Sequence, residues 1–283
     1  MANLRTLTAE AVTDCVARLC IQACTVLPRP VRTLLDEAAQ TEPYPPAREM
    51  LTLLQRNADV ALTRPAPICQ DTGMAVVFAE VGQNLHLEGG TLEAAVNAGV
   101  ARGYTEGWLR KSVVADPLRR GNTGDNTPAV LHTRLVAGNR LKLTISPKGF
   151  GSENMSRLAM LTPADGVEGV KAFVLETVRL AGANPCPPIM LGVGIGGTFE
   201  QVALLAKEAL VTLREGPHPD PYYDALEHEL LEQINALGIG PQGFGGLHTA
   251  LQVRIQTAPT HIAGLPVAVN VGCHVTRHAS ETL

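Results

Sequence analysis

The stretch Pro67-Ile68-Cys69-Gln70-Asp71-Thr72-Gly73 separates a helical pattern from the apolar run Met74-Ala75-Val76-Val77-Phe78. Proline and glycine on either side of Cys69 predict a turn at the mouth of a strand, where side chains face ligands more often than a core. Two further cysteines stand in similar turn-rich settings, namely Cys186 in Asn184-Pro185-Cys186-Pro187-Pro188 and Cys273 in Val271-Gly272-Cys273-His274. We therefore expect these three cysteines to converge on one metal cluster.

The composition favours a globular protein that acts on small molecules. The chain has 283 residues, and 45% of them are hydrophobic, enough for a substantial core. A formal net charge of −4 provides no basic surface for nucleic acid or an anionic membrane. No apolar run approaches the roughly 18 residues of a membrane span, and Met1 to Thr8 lacks the layout of a signal peptide. We expect a cytoplasmic chain, without nucleic-acid or membrane partners, whose cysteines are thiols or metal ligands.

Hydrophobic periodicity predicts a mixed α/β (α+β) fold in a single domain over 1–283, with a helical N-terminal part over about 1–64 and a mixed sheet flanked by helices. The predicted helices begin at Thr8 as N-cap, near Pro30, and at about Ala47, Thr91, Asp165, Thr198 and Tyr222, the Asp165 helix ending at Gly182 and the Thr198 helix at about Leu213. The predicted strands are one from Met74, Ala129 to Val136, Leu141 to Ile145, Pro188 to Val193, Leu251 to Ile255, and Leu265 to Val271. Turn residues at Gly82-Gln83-Asn84 predict a hairpin-like return, and those at Gly138-Asn139 predict a turn that joins two strands.

Three other cysteines lie on the first predicted helix as C-x4-C-x3-C, a spacing similar to some iron–sulfur motifs. A regular helix places Cys15 and Cys20 about 140° apart around its axis, too far to hold one cluster. We expect Cys15, Cys20 and Cys24 to be core residues, because cysteine is among the most buried residue types.

Two glycine-rich segments could approach a ligand. Gly192-Val193-Gly194-Ile195-Gly196-Gly197 fits a dinucleotide-binding pattern between a strand and a helix, but Arg214 to Pro221 is no central strand with the required acidic end. Its helix N-terminus could instead face a substrate carboxylate. Lys148-Gly149-Phe150-Gly151-Ser152-Glu153-Asn154 is either an anion-binding loop or an ordinary glycine turn.

Two basic side chains have alternative interpretations. Arg110 follows the predicted helix that ends at about Trp108, and it either neutralises that helix end or binds a carboxylate through two hydrogen bonds. His261 lies on the predicted loop between the last two strands and is either a surface residue or part of a site.

The three scattered cysteines restrict the chemistry. Structural zinc sites use four ligands in close pairs, which these positions lack. A four-iron cluster on three cysteines leaves one iron without a protein ligand, and such an iron is a Lewis acid suited to a hydro-lyase. The alternative is three buried thiols without a cofactor.

Four motifs resemble the class I fumarate hydratase and L-tartrate dehydratase alpha family, in its two-subunit form, over essentially the whole chain. They are Ile68-Cys69-Gln70-Asp71-Thr72-Gly73, Lys148 to Asn154, Cys186-Pro187-Pro188 with Gly192 to Gly197, and Gly264-Leu265-Pro266-Val267-Ala268-Val269-Asn270 up to Cys273.

The resemblance implies a [4Fe-4S] cluster on Cys69, Cys186 and Cys273. It further implies substrate contacts from Gln70, Asp71, Arg110, Gly151 and His261, with Asp71 and His261 as the candidate catalytic residues. One motif differs, since many members have Gly-Gly-Gly-Ser where this chain has Gly149-Phe150-Gly151-Ser152.

Single-chain members of the family continue beyond the last cysteine into another domain, whereas this chain ends ten residues after Cys273. The resemblance therefore implies a separate beta subunit that supplies the base, in a complex of two alpha and two beta chains. The expected reaction is reversible hydration of fumarate to L-malate. The alternatives are dehydration of L-tartrate to oxaloacetate, a non-catalytic cluster-bearing subunit, and a nucleotide-binding subunit.

Overall fold

The computed structural model describes residues 4–64, 66–211 and 216–283, which form two compact units. The first unit contains Met1–Pro28, Asn57–Phe150 and Arg277–Leu283, and the second contains Arg29–Arg56 and Gly151–Thr276. The chain therefore passes four times from one unit to the other. The single domain expected over 1–283 stays a prediction.

The described helices and strands agree with a mixed α/β fold. The helices are α1 (Ala9–Thr25), α2 (Arg29–Thr41), α3 (Pro45–Thr63), α4 (Leu92–Glu106), α5 (Phe150–Glu153), α6 (Gly166–Ala181), α7 (Phe199–Val211) and α8 (Pro221–Asn235). The strands are β1 (Arg5–Thr8), β2 (Met74–Gly82), β3 (Leu85–Glu88), β4 (Val130–Val136), β5 (Leu141–Lys148), β6 (Arg157–Leu161), β7 (Ile189–Gly196), β8 (Ala250–Ala258), β9 (Leu265–Gly272) and β10 (Ala279–Thr282).

Several helix ends lie where the sequence predicts them. Thr8 caps α1 by accepting a 3.2 Å hydrogen bond from the amide of Ala11. Gly182 ends α6 with a φ of +54°, a positive value that glycine adopts easily because it has no side chain. The predicted end of α7 at Leu213, and the first part of the segment from Arg214, lie outside the described residues.

The first unit is built on a mixed sheet with the order β10-β5-β2-β4, in which β2 is parallel to β4 and antiparallel to β5. Helices α1 and α4 pack together and bury their apolar faces with this sheet. Strands β1 and β3 form a separate parallel pair.

Both predicted reversals of the chain are present, but neither joins two strands that pair with each other. The turn at Gly82-Gln83-Asn84 connects β2 to β3, but β3 pairs with β1. The turn at Gly138-Asn139 connects β4 to β5, but β2 lies between them. Turn residues report a reversal of the chain and not the pairing partner. The nearly continuous apolar run of β2 is typical of a strand that is buried on both faces of its sheet.

The second unit is built on a mixed sheet with the order β6-β9-β7-β8, in which β7 is parallel to β8 and antiparallel to β9. Helices α6 and α8 share one apolar core with this sheet, and α7 packs through a separate cluster that includes Val202, Ala206 and Ala268. The prediction of a mixed sheet flanked by helices is therefore confirmed.

The glycines that fit a dinucleotide-binding pattern have a packing role. Gly192 and Gly194 lie inside β7 and not in a loop. A Cβ at Gly192 would lie 2.0 Å from the carbonyl oxygen of Ala206, and one at Gly194 would lie 2.3 Å from that of Val202. Both positions must be glycine because α7 lies so close to the strand. These glycines therefore do not form the phosphate-binding loop that the nucleotide-binding alternative requires.

One segment of the described chain, Ala9–Thr41, is long and apolar enough to cross a membrane by length and composition alone. In the structure it is divided into α1 and α2, and half of its most apolar stretch is buried. The buried residues of α1 belong to the core of the first unit. Core helices often have this length and composition, so we interpret α1 as a core helix.

Candidate functional site

The six cysteines form two sets. Completely buried on α1 are Cys15, Cys20 and Cys24. On loops, Cys69 and Cys273 are half-buried and Cys186 is exposed. Burial raises the pKa of Cys15 to about 12 and that of Cys24 to about 11, so these thiols stay protonated at neutral pH. The prediction that the α1 cysteines are core residues is confirmed.

The loop of Cys69 in the first unit is anchored on both sides. The amide of Ile68 donates a 2.9 Å hydrogen bond to the carbonyl of Cys24, and its carbonyl accepts a 2.8 Å bond from the side chain of Asn57. The Sγ atom of Cys69 lies 3.4 Å from Oε1 of Gln70. The backbone is therefore fixed while the thiol remains accessible.

The carboxylate of Asp71 organises the neighbouring turn. Its Oδ1 accepts a 3.0 Å hydrogen bond from the amide of Gly73, and its Oδ2 accepts a 2.9 Å bond from the amide of Phe150. A Cβ at Gly149 would lie 3.0 Å from the same Oδ2. Both oxygens thus accept backbone N–H groups, and the carboxylate holds the turn to the start of the Phe150 helix.

Two buried side chains hold the backbone that follows Asp71. The hydroxyl of Tyr104 lies 2.8 Å from the carbonyl oxygen of Thr72 and 3.1 Å from that of Gly73. The side-chain amide of Asn126, which is completely buried, also donates to Gly73, at 3.1 Å. The turn after Asp71 is therefore fixed from the interior of the first unit.

The same network brings Arg110 to this loop. The Oγ1 of Thr72 donates a 3.0 Å hydrogen bond to the carbonyl of Arg110, and Oδ1 of Asn126 accepts a 2.7 Å bond from the amide of Ser112. Helix α4 ends at Glu106, and the exposed side chain of Arg110 is beyond its last turn. The structure thus disfavours the helix-end interpretation of Arg110.

In the second unit, Cys186 and Cys273 lie at the same end of the sheet. Cys186 precedes β7 and Cys273 follows β9, and these strands are antiparallel with Met190 opposite Gly272. The carbonyl oxygen of Cys186 lies 2.9 Å from Nδ1 of His274, the residue after Cys273. The fold therefore brings these two cysteine loops together.

His261 lies at the other end of that sheet. It precedes β9, whereas Cys273 follows it, and the eight residues of the strand span about 26 Å. The exposed imidazole borders a cavity of about 390 Å³ that is lined mainly by apolar and tyrosine side chains, including Tyr222 and Tyr223. His261 and Cys273 of one chain therefore cannot contact the same small substrate.

Gly151 lies within α5, which is one helical turn, whereas the sequence left open an anion-binding loop or an ordinary glycine turn. The carbonyl oxygen of Asn184 would be 3.9 Å from a Cβ at Gly151, an ordinary contact. In the same turn, Glu153 pairs with Lys207 and accepts a 2.8 Å hydrogen bond from Asn270. The segment is thus tied to α7 and β9 by side chains.

Comparison with known proteins establishes the family. A family model described as fumarate hydratase (Fumerase) matches residues 13–282. The chain belongs to the fumarate hydratase (Fumerase) family. It is 40% identical over 278 residues to the putative L(+)-tartrate dehydratase subunit alpha of Methanocaldococcus jannaschii, covering 96% of this chain and 97% of that protein. It is 31% identical over 272 residues to the L(+)-tartrate dehydratase subunit alpha of Escherichia coli (strain UTI89 / UPEC), covering 95% of this chain and 89% of that protein.

These matches confirm the resemblance that the motifs indicate. They support a lyase role, that of a hydro-lyase alpha subunit, and relatives named as alpha subunits imply a beta partner. They do not distinguish fumarate from tartrate as the substrate.

The donor chemistry of this fumarate hydratase family chain fits an iron–sulfur cluster. Three thiols lie on accessible loops while the other three are buried, and thiolates are the usual protein ligands of such clusters. Among the described residues, no three His, Cys, Asp or Glu side chains are grouped around a single metal ion. A cluster differs from a site with one metal ion, because its thiolates bind different irons.

Sequence reasoning missed Arg277. Arg277 is 4% exposed, its guanidinium donates to the carbonyl of Asp71, and its own carbonyl accepts a 3.0 Å hydrogen bond from Ser146. The positive charge of Arg277 lowers the pKa of Cys24, although burial raises it more. The only available signal was a cation four residues after Cys273, and no periodicity marks it as buried.

Proposed function

We propose that this chain is the cluster-bearing alpha subunit of a hydro-lyase that reversibly hydrates fumarate to L-malate. The observation that carries the proposal is the division of the cysteines. The three in the family motifs are accessible on loops, and the three on α1 are buried. Family membership over residues 13–282 supports the reaction class.

In this proposal, Cys69, Cys186 and Cys273 hold a [4Fe-4S] cluster. The donor type and accessibility of these thiols support the assignment, as does the meeting of the Cys186 and Cys273 loops. When bound, the cluster would supply a Lewis-acidic iron for the substrate hydroxyl and one carboxylate.

The remaining residues bind and orient the dicarboxylate. Arg110 is proposed to hold a carboxylate through two N–H donors, and Gln70 to donate an amide hydrogen bond. Asp71 keeps the loop in place through its contacts with Gly73 and Phe150, and its catalytic contribution is to position these groups. Gly151 is proposed to contact the substrate through its backbone.

His261 is proposed to act on the substrate of a second copy of the chain. The length of β9 separates it from Cys273 of its own chain, so a shared substrate requires another alpha subunit. This requirement agrees with a complex of two alpha and two beta chains. The beta chain would supply the general base, and we place the complex in the cytoplasm.

L-Tartrate dehydration is the second candidate function, because the Methanocaldococcus jannaschii and Escherichia coli relatives carry that name. We expect the anaerobically reconstituted alpha–beta complex to turn over fumarate and L-malate with a higher kcat/KM than L-tartrate. Absorbance assays on the three acids measure this directly. A higher kcat/KM for L-tartrate would replace the first substrate with the second, and no turnover of any of them would reject the reaction class.

Arg110→Ala and His261→Ala are expected to lower kcat/KM about 10- to 150-fold without changing the iron content. Each change removes a charge-assisted hydrogen bond to a carboxylate, worth about 1.5–3 kcal/mol. Steady-state kinetics on the complex measure the effect. Lys111→Ala and His228→Ala are the matched controls, since they remove a neighbouring cation and an exposed helical histidine. A wild-type kcat/KM in Arg110→Ala would show that Arg110 does not belong to the site.

A mixture of two impaired alpha chains tests the second-copy role of His261. Co-expression of His261→Ala with Cys69→Ser should recover about a quarter of wild-type activity, since half of randomly paired dimers regain one complete site. Recovery that stays at the level of His261→Ala alone would contradict action between copies.

A further inference from the structure

The carbonyl groups around Cys186 are held by two side chains that the proposed reaction does not use. The carbonyl oxygen of Cys186 lies 2.9 Å from Nδ1 of His274 and accepts a longer bond, 3.4 Å, from the His274 amide. The carbonyl of Pro187 accepts from both the amide and the side-chain Nε2 of Gln242, each at 2.7 Å. The loop of Cys186 is thus fixed by donors from two other segments of the second unit.

The contact with Cys186 indicates which ring nitrogen of His274 carries the hydrogen. A carbonyl oxygen only accepts, so Nδ1 must carry the hydrogen that it donates to Cys186. Gln242 Nε2 is also a donor and lies 3.3 Å from Nδ1, so it serves Pro187 and not the ring. The two donors stand side by side, and each has its own carbonyl.

The loop of Cys186 and the segment of Gln242 both have an uncommon backbone conformation. Cys186 has a φ of +55° and Gln242 a φ of +53°, a region that side-chain-bearing residues seldom adopt. Such conformations persist only where surrounding contacts hold them, and they are concentrated at functional sites. The hydrogen bonds from His274 and Gln242 are contacts of that kind.

The other cysteine is held just as closely. The carbonyl of Cys273 accepts from the amide of Thr276 at 3.0 Å and from its Oγ1 at 2.8 Å. A Cβ at Gly272 would lie 2.2 Å from that Oγ1, so the tight return of the chain requires glycine there. His274 therefore projects from a rigid turn, and its imidazole links that turn to Cys186.

We propose that His274 is a positioning residue of the iron–sulfur site, assisted by Gln242. Its Nδ1–H fixes the Cys186 loop relative to Cys273, so that both thiols are in place before iron arrives. This inference rests on the proposed function, because it assumes that these cysteines hold the cluster. Residues that orient metal ligands in this way typically contribute about 10- to 100-fold to metal affinity.

Three substitutions of His274 separate this role from a general effect on folding. Asparagine can place its side-chain N–H2 near the position of Nδ1, whereas glutamine reaches the position of Nε2 and alanine supplies no donor. We expect His274→Ala and His274→Gln to lose cluster iron to a ferrous chelator about 10- to 100-fold faster than wild type. His274→Asn should lose it at close to the wild-type rate. Anaerobically reconstituted full-length chains are used, and loss of visible absorbance gives the rate.

The outcomes are distinguishable from failure of the proposed function. A wild-type chain that takes up no iron and sulfide would reject the cluster itself and this inference with it. Wild-type iron retention in His274→Ala would overturn only the role of His274, as would equal losses in His274→Asn and His274→Ala. Should His274→Ala fail to fold by circular dichroism, Gln242→Asn replaces it. Asparagine tolerates the positive φ, but its side chain is too short to reach Pro187, so faster iron loss is again expected. Iron loss at the wild-type rate would contradict the proposal.

Discussion

Replacement of Cys69, Cys186 or Cys273 by serine is expected to abolish cluster binding and, with it, activity. Iron in sulfur clusters favours soft thiolate ligands, and a serine hydroxyl is a harder donor that stays protonated at neutral pH. Each thiol lies on an accessible loop, so the substitution should leave the fold intact. Iron and sulfide per chain after anaerobic reconstitution, together with visible absorbance, measure the result.

The control for this experiment is a cysteine of α1. Cys20 is completely buried in the first unit, so Cys20→Ala should lower stability by about 1 kcal/mol while leaving iron and sulfide at wild-type levels. A Cys69→Ser chain that takes up the full complement of iron would remove Cys69 from the ligand set.

The purified alpha chain, without a beta chain, is expected to be nearly inactive even with a full cluster. The carboxylate of Asp71 accepts backbone amides at both oxygens, and the proposed base belongs to the beta chain. General acid–base catalysis contributes about 10²- to 10⁴-fold to a rate, so kcat should rise by at least that factor when beta is added. Titration of beta into reconstituted alpha, followed by the fumarate assay, measures the rise.

The matching control is alpha carrying Cys69→Ser, which should gain no activity from beta. Full turnover by wild-type alpha, with one polypeptide on a denaturing gel, would contradict the two-subunit proposal. A base would then have to be found in this chain, and Asp71→Asn would be the first substitution to make.

Local sequence signals predicted the elements but not their pairing. Thr8 and Gly182 end helices because capping depends on residues within one turn. The position of β2 between β4 and β5 depends on contacts between distant segments, which the turn at Gly138-Asn139 does not encode. Strands as short as β1 and β10 contain too few residues for their alternation to be recognised.

In the candidate site, too, local sequence predicted some features and missed those that depend on contacts between distant residues. Proline and glycine placed Cys69, Cys186 and Cys273 on loops, and helical periodicity placed Cys20 in the core. The role of Asn126 could not be predicted, because its hydrogen bond to Gly73 joins residues 53 positions apart. Gly192 was misleading for a different reason, since close helix packing and phosphate binding both require the absence of a side chain.

The return of the chain to the first unit at residues 277–283 affects how the protein is made. Strand β10 covers the edge of β5, and Leu283 exchanges backbone hydrogen bonds of 3.1 and 2.8 Å with Leu141. On the ribosome, β5 is synthesised long before β10, and its edge stays open while residues 151–276 of the second unit emerge. Open strand edges invite association with other chains. Nascent copies are thus exposed to aggregation until residue 283 has left the exit tunnel. Slower translation initiation should therefore raise the soluble yield more than a stronger promoter does.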